Sequence, residues 1–245
     1  MLRRMRSLRT FKRLALAGAV WLSQLAPGHA QQTVSLELVL AVDASSSVNV
    51  AEHRLQMQGI ARAFRSPEVM QLIEGSGGIA VILFQWASRA NIRETTGWHI
   101  LRTRNSILSF AEEVSRTRRV SVGSLTAIGS AIEAGLDLLD TNGITGVRGK
   151  IDVSGDGRNN SGTALEDARA RAAARGVTIN GLAIQTDVPD LAAYYRQHVT
   201  SGPDSFVIAA KDYADFARAM EVKLLRELSP AVSDVRENRQ RRPRS

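Results

Sequence analysis

An aspartate and two serines stand at alternate positions, Asp43, Ser45 and Ser47, in the stretch "LVLAVDASSSV". On a tight turn that spacing points three oxygens to one side of the backbone. One carboxylate with two hydroxyls is a hard-oxygen donor set, suited to Mg²⁺, Mn²⁺ or Ca²⁺ rather than to zinc. Three oxygens do not fill an octahedral shell, so other loops have to contribute. Thr126 starts a helical pattern in "GSLTAIGSAIEAG", and Asp156 follows an apolar run in "IDVSGDGRNN", in a glycine-flanked turn. Each residue also has a plain structural reading. Asp43 and its serines could cap the following helix. Thr126 could likewise be a cap, and Asp156 a turn residue beside Gly157.

Placing such residues together takes a scaffold, and the sequence describes one. "LELVLAV" (36–42), "GIAVILF" (78–84), "GKIDVS" (149–154), "VTINGLAI" (177–184) and "SFVIAA" (205–210) read as strands. The first two are almost continuously apolar, as parallel strands covered on both faces are. "RANIRET" (89–95) is a weaker, alternating segment and reads as a short antiparallel edge strand. Between them runs a helical period. Met57, Ile60, Ala61 and Phe64 share one face, and Ile128, Ile132, Gly135 and Leu139 share another. Thr163 with Glu166 reads as a capping box for an alanine-rich helix that Gly176 ends. Phe216, Met220, Leu224 and Leu228 stripe a last helix begun near Asp212. The pattern predicts an α/β protein: a doubly wound, mostly parallel open sheet of about six strands, one a short antiparallel edge, with helices on both faces. Ligands of such sheets bind beyond the carboxyl ends of the strands, where Asp43 stands.

The formal charge of +8 over 245 residues is unevenly placed. Residues 1–30 carry Arg3, Arg4, Arg6, Arg9, Lys12 and Arg13 and no acid, and residues 230–245 carry five arginines against Asp234 and Glu237. The middle is left close to neutral, without the composition of a nucleic-acid-binding face. The basic leader runs into "LALAGAVWLSQLA" and then "PGHA", the form of a signal peptide with cleavage after Ala30. An uncleaved anchor is the alternative. Residues 31–229 read as one domain and 230–245 as a disordered basic tail. There is no cysteine, which excludes thiol catalysis, disulfides and cysteine-ligated zinc. A domain of this size buries enough surface to do without disulfides.

Asp43, Ser45, Ser47, Thr126 and Asp156 together carry a family resemblance. The chain resembles a von Willebrand factor type A domain with its metal-ion-dependent adhesion site, Asp-x-Ser-x-Ser followed by a distant threonine and a distant aspartate. More narrowly it is similar to a group of bacterial secreted proteins of uncharacterised function. The matching segments include "LVLAVDASSSV", "FQWAS", "TAIGSAIEAG", "IDVSGDGRNNSG", "TINGLAI", "YY" and "DFARAMEVKLLREL", over about residues 33–228. The resemblance implies that the two serines bind the ion directly, and that the threonine and both aspartates act directly or through water. It also implies a partner protein or peptide that offers an Asp or Glu carboxylate to the ion, and the basic leader with its short apolar segment predicts a periplasmic or secreted location in a bacterium.

Other residues point to less. Trp86 and Gln85 follow the second strand and lie near the Asp43 edge, where Trp86 either lines a recognition surface or packs in the core. Asp152 interrupts an apolar strand and needs a buried partner, for which Asn180 on the next strand is a candidate. His53, His99 and His198 show no ligand spacing. The leading expectation is a metal-dependent binding module and not an enzyme. A metal-dependent hydrolase on the same oxygens lacks a nearby histidine or second carboxylate pair as general base. A structural envelope domain with an unused site is the third possibility.

Overall fold

The computed structural model describes residues 33–89, 92–120 and 123–229. The expectations of a signal peptide at 1–30 and of a disordered tail at 230–245 lie outside the described residues. The chain divides into two compact units after Ala30, and every described strand and helix belongs to the second, Gln31–Ser245.

The sheet is built around two fully buried strands, β2 (Leu36–Asp43) and β3 (Ile79–Trp86). A short β1 (Thr33–Val34) precedes them. Along β2 the side chains alternate between two cores. Leu36, Leu38, Leu40 and Val42 belong to one, while Val39 and Ala41 belong to the other. Both faces are apolar because both are covered, which is why the strand reads as an unbroken hydrophobic run. The first core is closed by α1 (Val50–Phe64), α2 (Pro67–Gly75), α3 (Arg104–Arg116) and α7 (Phe216–Leu228). The second is closed by α4 (Ile128–Thr141), α5 (Leu165–Ala174) and α6 (Leu191–Tyr194), which continues as a wider π-turn over Tyr195–Val199.

The remaining strands are β4 (Ile92–Glu94), β5 (His99–Leu101), β6 (Thr145–Gly146), β7 (Gly149–Gly155), β8 (Thr178–Ile184) and β9 (Val207–Ala210). Seven strands form the main sheet in the order β4-β3-β2-β7-β8-β9, with β5 also on β3. Strands β2, β3, β7, β8 and β9 pair in parallel, while β4 and β5 pair antiparallel with β3. The architecture is the expected doubly wound α/β sheet. It has one strand more than expected, because the edge continues past Glu94 into His99–Leu101. A separate parallel pair, β1 with β6, sits beside it. From β2 the chain crosses to β3 on one side, while β7 lies on the other. The strand order therefore reverses between β2 and β7, and a crevice opens at their carboxyl ends.

Local expectations fared unevenly. The stripe of Phe216, Met220, Leu224 and Leu228 is buried as read, and Gly176 ends its helix with φ of 66°, a left-handed conformation that suits glycine. The Thr163–Glu166 capping box does not form. The N-cap of α5 is Ala164, without a side-chain bond. Thr163 is drawn to α4 instead, where its N–H donates to Ser130 Oγ at 3.0 Å. Helix α7 begins three residues later than expected, after Asp215, whose N–H donates to Asp212 Oδ1 at 2.9 Å. Helices α2 and α3 lie in stretches where the sequence pattern marked no element.

Candidate metal centre

Asp43 is the last residue of β2 and pairs in register with Trp86 of β3. The chain then turns tightly. Ser45 N–H donates to Asp43 Oδ1 at 2.7 Å, an Asx-type turn. That turn brings Ser45 Oγ to 3.1 Å from Ser47 Oγ, and Ser47 Oγ donates to Asp156 Oδ1 at 2.8 Å. Asp156 reaches the cluster because it follows the end of β7, across the reversal point from β2. Asp43, Ser45 and Asp156 are buried and Ser47 is exposed, so the cluster has a closed floor and an open rim.

Thr126, also buried, is brought to the same place. A Cβ on Gly157 would lie 3.5 Å from Thr126 Oγ1, so the threonine faces the turn that carries Asp156. The two loops are fastened reciprocally. Thr126 N–H donates to Asn160 Oδ1 at 2.8 Å, and Asn160 N–H to the Thr126 carbonyl at 2.9 Å. Helix α4 has N-cap Ala127 with no side-chain bond of its own. Asn159 Oδ1 accepts from Gly129 N–H at 3.2 Å and serves one of its free first-turn donors from the other loop.

These contacts decide against local capping roles. Helix α1 is capped by Asn49, whose side chain accepts from Ala51 and Glu52 N–H while Glu52 accepts from Asn49 N–H. Asp43, Ser45 and Ser47 therefore do not cap it. Asp156 is held by side chains remote in sequence, Ser47 and Tyr213, whose OH donates to Asp156 Oδ2 at 2.9 Å.

The electrostatics are unbalanced. Asp43 Oδ2 is buried and has no hydrogen-bond partner. Burial, and then the neighbouring charge of Asp156, push the Asp43 carboxyl up from 3.8 to about 7. The guanidinium of Arg119 is close, yet its Nη2 donates to the Ala44 and Ser45 carbonyls, both at 2.9 Å, and braces the loop. A buried carboxylate with one oxygen unbonded and a second carboxylate beside it is costly to ionise, so a cation is the group this arrangement suits. Two carboxylates with three hydroxyls present oxygen donors alone, the chemistry of a hard divalent ion. Among the described residues no group of three or more His, Cys, Asp or Glu gathers to hold a metal. A site made chiefly of carboxylates or imidazoles is thus not what the described chain offers.

A cavity of about 580 Å³ lies elsewhere, at the amino ends of β7 and β8, lined among others by Glu37, Arg148, Arg175 and Phe206. It does not include the cluster. The buried Oδ2 of Asp43 without a hydrogen-bond partner is the stronger sign of function, since above about pH 7 its charge has no compensating group among its neighbours.

Sequence reasoning passed over Arg119, Asn160, Tyr195 and Tyr213. Their contacts with the cluster close over tens of residues, and only "YY" and "RNN" within the matching segments marked any of the neighbourhood. Trp86 is wholly buried and packs in the second core, which settles its role as packing. Gln85 bonds Thr95, the Arg118 carbonyl and Val120 N–H, pinning the irregular segment after Arg116. Asp152 does not bond Asn180. It pairs with Lys223 Nζ at 2.6 Å, and Asn180 donates instead to Glu227. Helix α7 supplies the cation that periodicity in β7 and β8 could not reveal. None of His53, His99 and His198 bonds the cluster. His99 pairs with Glu113 at 3.0 Å, and His198 lies against the Tyr194 ring.

Residues 33–232 match the family described as "Protein of unknown function (DUF1194)". The chain belongs to that family. No curated protein sequence matches this DUF1194 chain. Its fold is that of solved von Willebrand factor A domains. One is proximal thread matrix protein 1 from the mussel byssus, in a structure with a zinc-occupied MIDAS motif, at TM-score 0.56 and 18% identity over 80% of this chain and 46% of that one. Another is the von Willebrand factor type A protein of Catenulispora acidiphila, at TM-score 0.56 and 18% identity over 82% and 44%. A third is the domain of the type V pili tip protein Mfa5 from Porphyromonas gingivalis, at TM-score 0.54 and 10% identity over 87% and 99%. The DUF1194 chain spans under half the length of the first two. Among the described residues no helix is long and apolar enough to cross a membrane.

Proposed function

We propose that this DUF1194 protein is a metal-dependent binding module of the bacterial periplasm or exterior, with Asp43, Ser45, Ser47, Thr126 and Asp156 as its ion ligands. The observation that carries the reading is the buried, unpartnered Oδ2 of Asp43 beside a hydroxyl-rich cluster at the sheet's reversal point. The zinc-occupied motif of the byssus protein and the pilus and matrix settings of the similar domains support it.

Mg²⁺ is the preferred ion, with Mn²⁺ or Ca²⁺ as substitutes, because oxygen ligands and retained waters suit it. When bound, the ion supplies a positively charged, exchangeable position for an outside carboxylate. The chain's own residues do the rest. Two carboxylates formally balance a divalent ion, so its pull on an outside carboxylate rests on neutral hydroxyls and water holding the inner positions while the aspartates act through water. Ser47, on the exposed rim, marks the side from which a partner approaches. Arg119 and the Asn160–Thr126 pair hold the three loops in fixed relation, so little order is lost on binding. The partner is a protein or peptide that presents an aspartate or glutamate.

Affinity capture from envelope extract, with Mg²⁺ and with chelator, tests this, comparing the wild-type chain with Asp43→Ala. A partner retained only with Mg²⁺ and only by the wild type is expected, and replacing its key acid by the amide should release it. Equal retention in chelator would refute metal-mediated contact.

A further inference from the structure

Two buried phenols approach the cluster from behind, and neither belongs to the five-residue motif. We infer that Tyr213 and Tyr195 are positioning residues of the metal site, one serving each carboxylate. The inference rests on the reading of Asp43 and Asp156 as ion ligands and assigns their orientation to these two side chains.

For Asp156 the contact is direct. Tyr213 OH donates to Oδ2 at 2.9 Å while Ser47 Oγ donates to Oδ1 at 2.8 Å. The carboxylate is gripped from both oxygens, and its plane is fixed. Tyr213 stands in the turn between β9 and α7, and its ring is buried with the first core. Its own position is therefore set by packing and not by the site.

For Asp43 the contact runs through space kept open by a glycine. Asp43 Oδ2 and Tyr195 OH are both buried and both without a hydrogen-bond partner. A Cβ on Gly155 would meet Tyr195 OH at 2.8 Å and Asp43 Oδ2 at 2.9 Å. Two orphaned polar atoms thus flank the same small volume, and the residue between them has no side chain. Buried polar atoms are nearly always satisfied, and we assign these two to each other, joined through one water in the space beside Gly155. The phenol is a donor and the carboxylate an acceptor, so the pairing has the right polarity.

Groups that hydrogen-bond a metal's ligands fix their orientation, and losing one lowers metal affinity by roughly 10- to 100-fold. Both tyrosines should act in this way. Phe keeps the ring and the packing and removes only the hydroxyl, so Tyr213→Phe and Tyr195→Phe isolate the effect. Mn²⁺ is the probe, followed by calorimetric titration and by the near-ultraviolet tyrosine difference spectrum on metal addition. In wild type, Mn²⁺ binding should perturb the tyrosine spectrum, and each variant should lose part of that signal. Both variants should bind Mn²⁺ about 10- to 100-fold more weakly; Tyr213→Phe also leaves Asp156 Oδ2 unpaired and should lower the metal-free melting temperature, while Tyr195→Phe should change it little. If wild type binds no Mn²⁺, the metal reading itself fails. If wild type binds and either variant binds as tightly, the assignment of the tyrosines is overturned. A variant that melts earlier but keeps full Mn²⁺ affinity gives the tyrosine a packing role alone and also overturns it.

Discussion

One oxygen of Asp43 is bonded to the Ser45 N–H and the other is buried without a partner. The consequence for stability can be signed. Burial and then the Asp156 charge raise this carboxyl from 3.8 to about 7 in the folded protein. Between those values the folded state holds a proton that the unfolded chain has released. Metal-free stability therefore falls as pH rises from about 4 to 7, and the penalty is complete above 7. Its upper bound is about 4 kcal/mol for a shift of this size. Asp152, raised to about 6, titrates in the same sense, and His53, lowered to about 4, in the opposite one. The comparison must therefore be with Asp43→Asn under identical conditions. In chelator, urea unfolding at pH 5 and pH 8 should show a steeper loss for wild type than for the variant. Superimposable pH profiles would remove Asp43 as the source. At this scale Asp43, Ser45 and Ser47 were legible because their relation is local, alternate residues on one turn. Thr126 and Asp156 were legible from their places at element boundaries. Tyr213 was not, because nothing within its neighbourhood in sequence reports a bond to Asp156.

Among the elements, α1 shows how the site is insulated from its scaffold. The helix has its own capping box, Asn49 with Glu52, so the preceding turn is free for other work. Asn49→Ala should destabilise the protein by about 1 kcal/mol, the usual cost of a lost cap. The rise in melting temperature on Mg²⁺ addition should persist in that variant. If it disappears along with the cap, the turn and the helix are not independent. Strands were readable from their apolar runs because coverage on both faces leaves no polar alternation to confuse. The α5 cap was illegible because Thr163 has a tertiary competitor, Ser130, that the S/T-x-x-E pattern cannot register. The second edge strand was hidden because β5, "HIL", lacks the apolar–polar alternation that marked the equally short β4.

Across the whole second unit, α7 is joined to the sheet by buried charges. Lys223 Nζ lies 2.6 Å from Asp152 and 2.9 Å from Glu227, and Lys150 lies 3.0 Å from Glu227. Desolvation opposes each charge, and their mutual attraction keeps Glu227 low and Lys223 high. Removing one partner strands the others. Lys223→Met should cost about 3–5 kcal/mol, read from the urea midpoint. A loss below about 1 kcal/mol would mean that the network is already hydrated. The overall architecture was legible because strand and helix alternation permits few topologies. This network was not, since an ionic residue in an apolar strand shows only that a partner exists.

The central claim is that the Asp43–Asp156 cluster holds a divalent ion. Calorimetric titration of the chelator-treated chain with Mg²⁺ tests it most directly, beside Asp43→Ala and Asp156→Ala. The expected result is one saturable site in wild type and none in either variant, with far-ultraviolet circular dichroism unchanged. Undiminished Mg²⁺ binding by both variants would contradict the account.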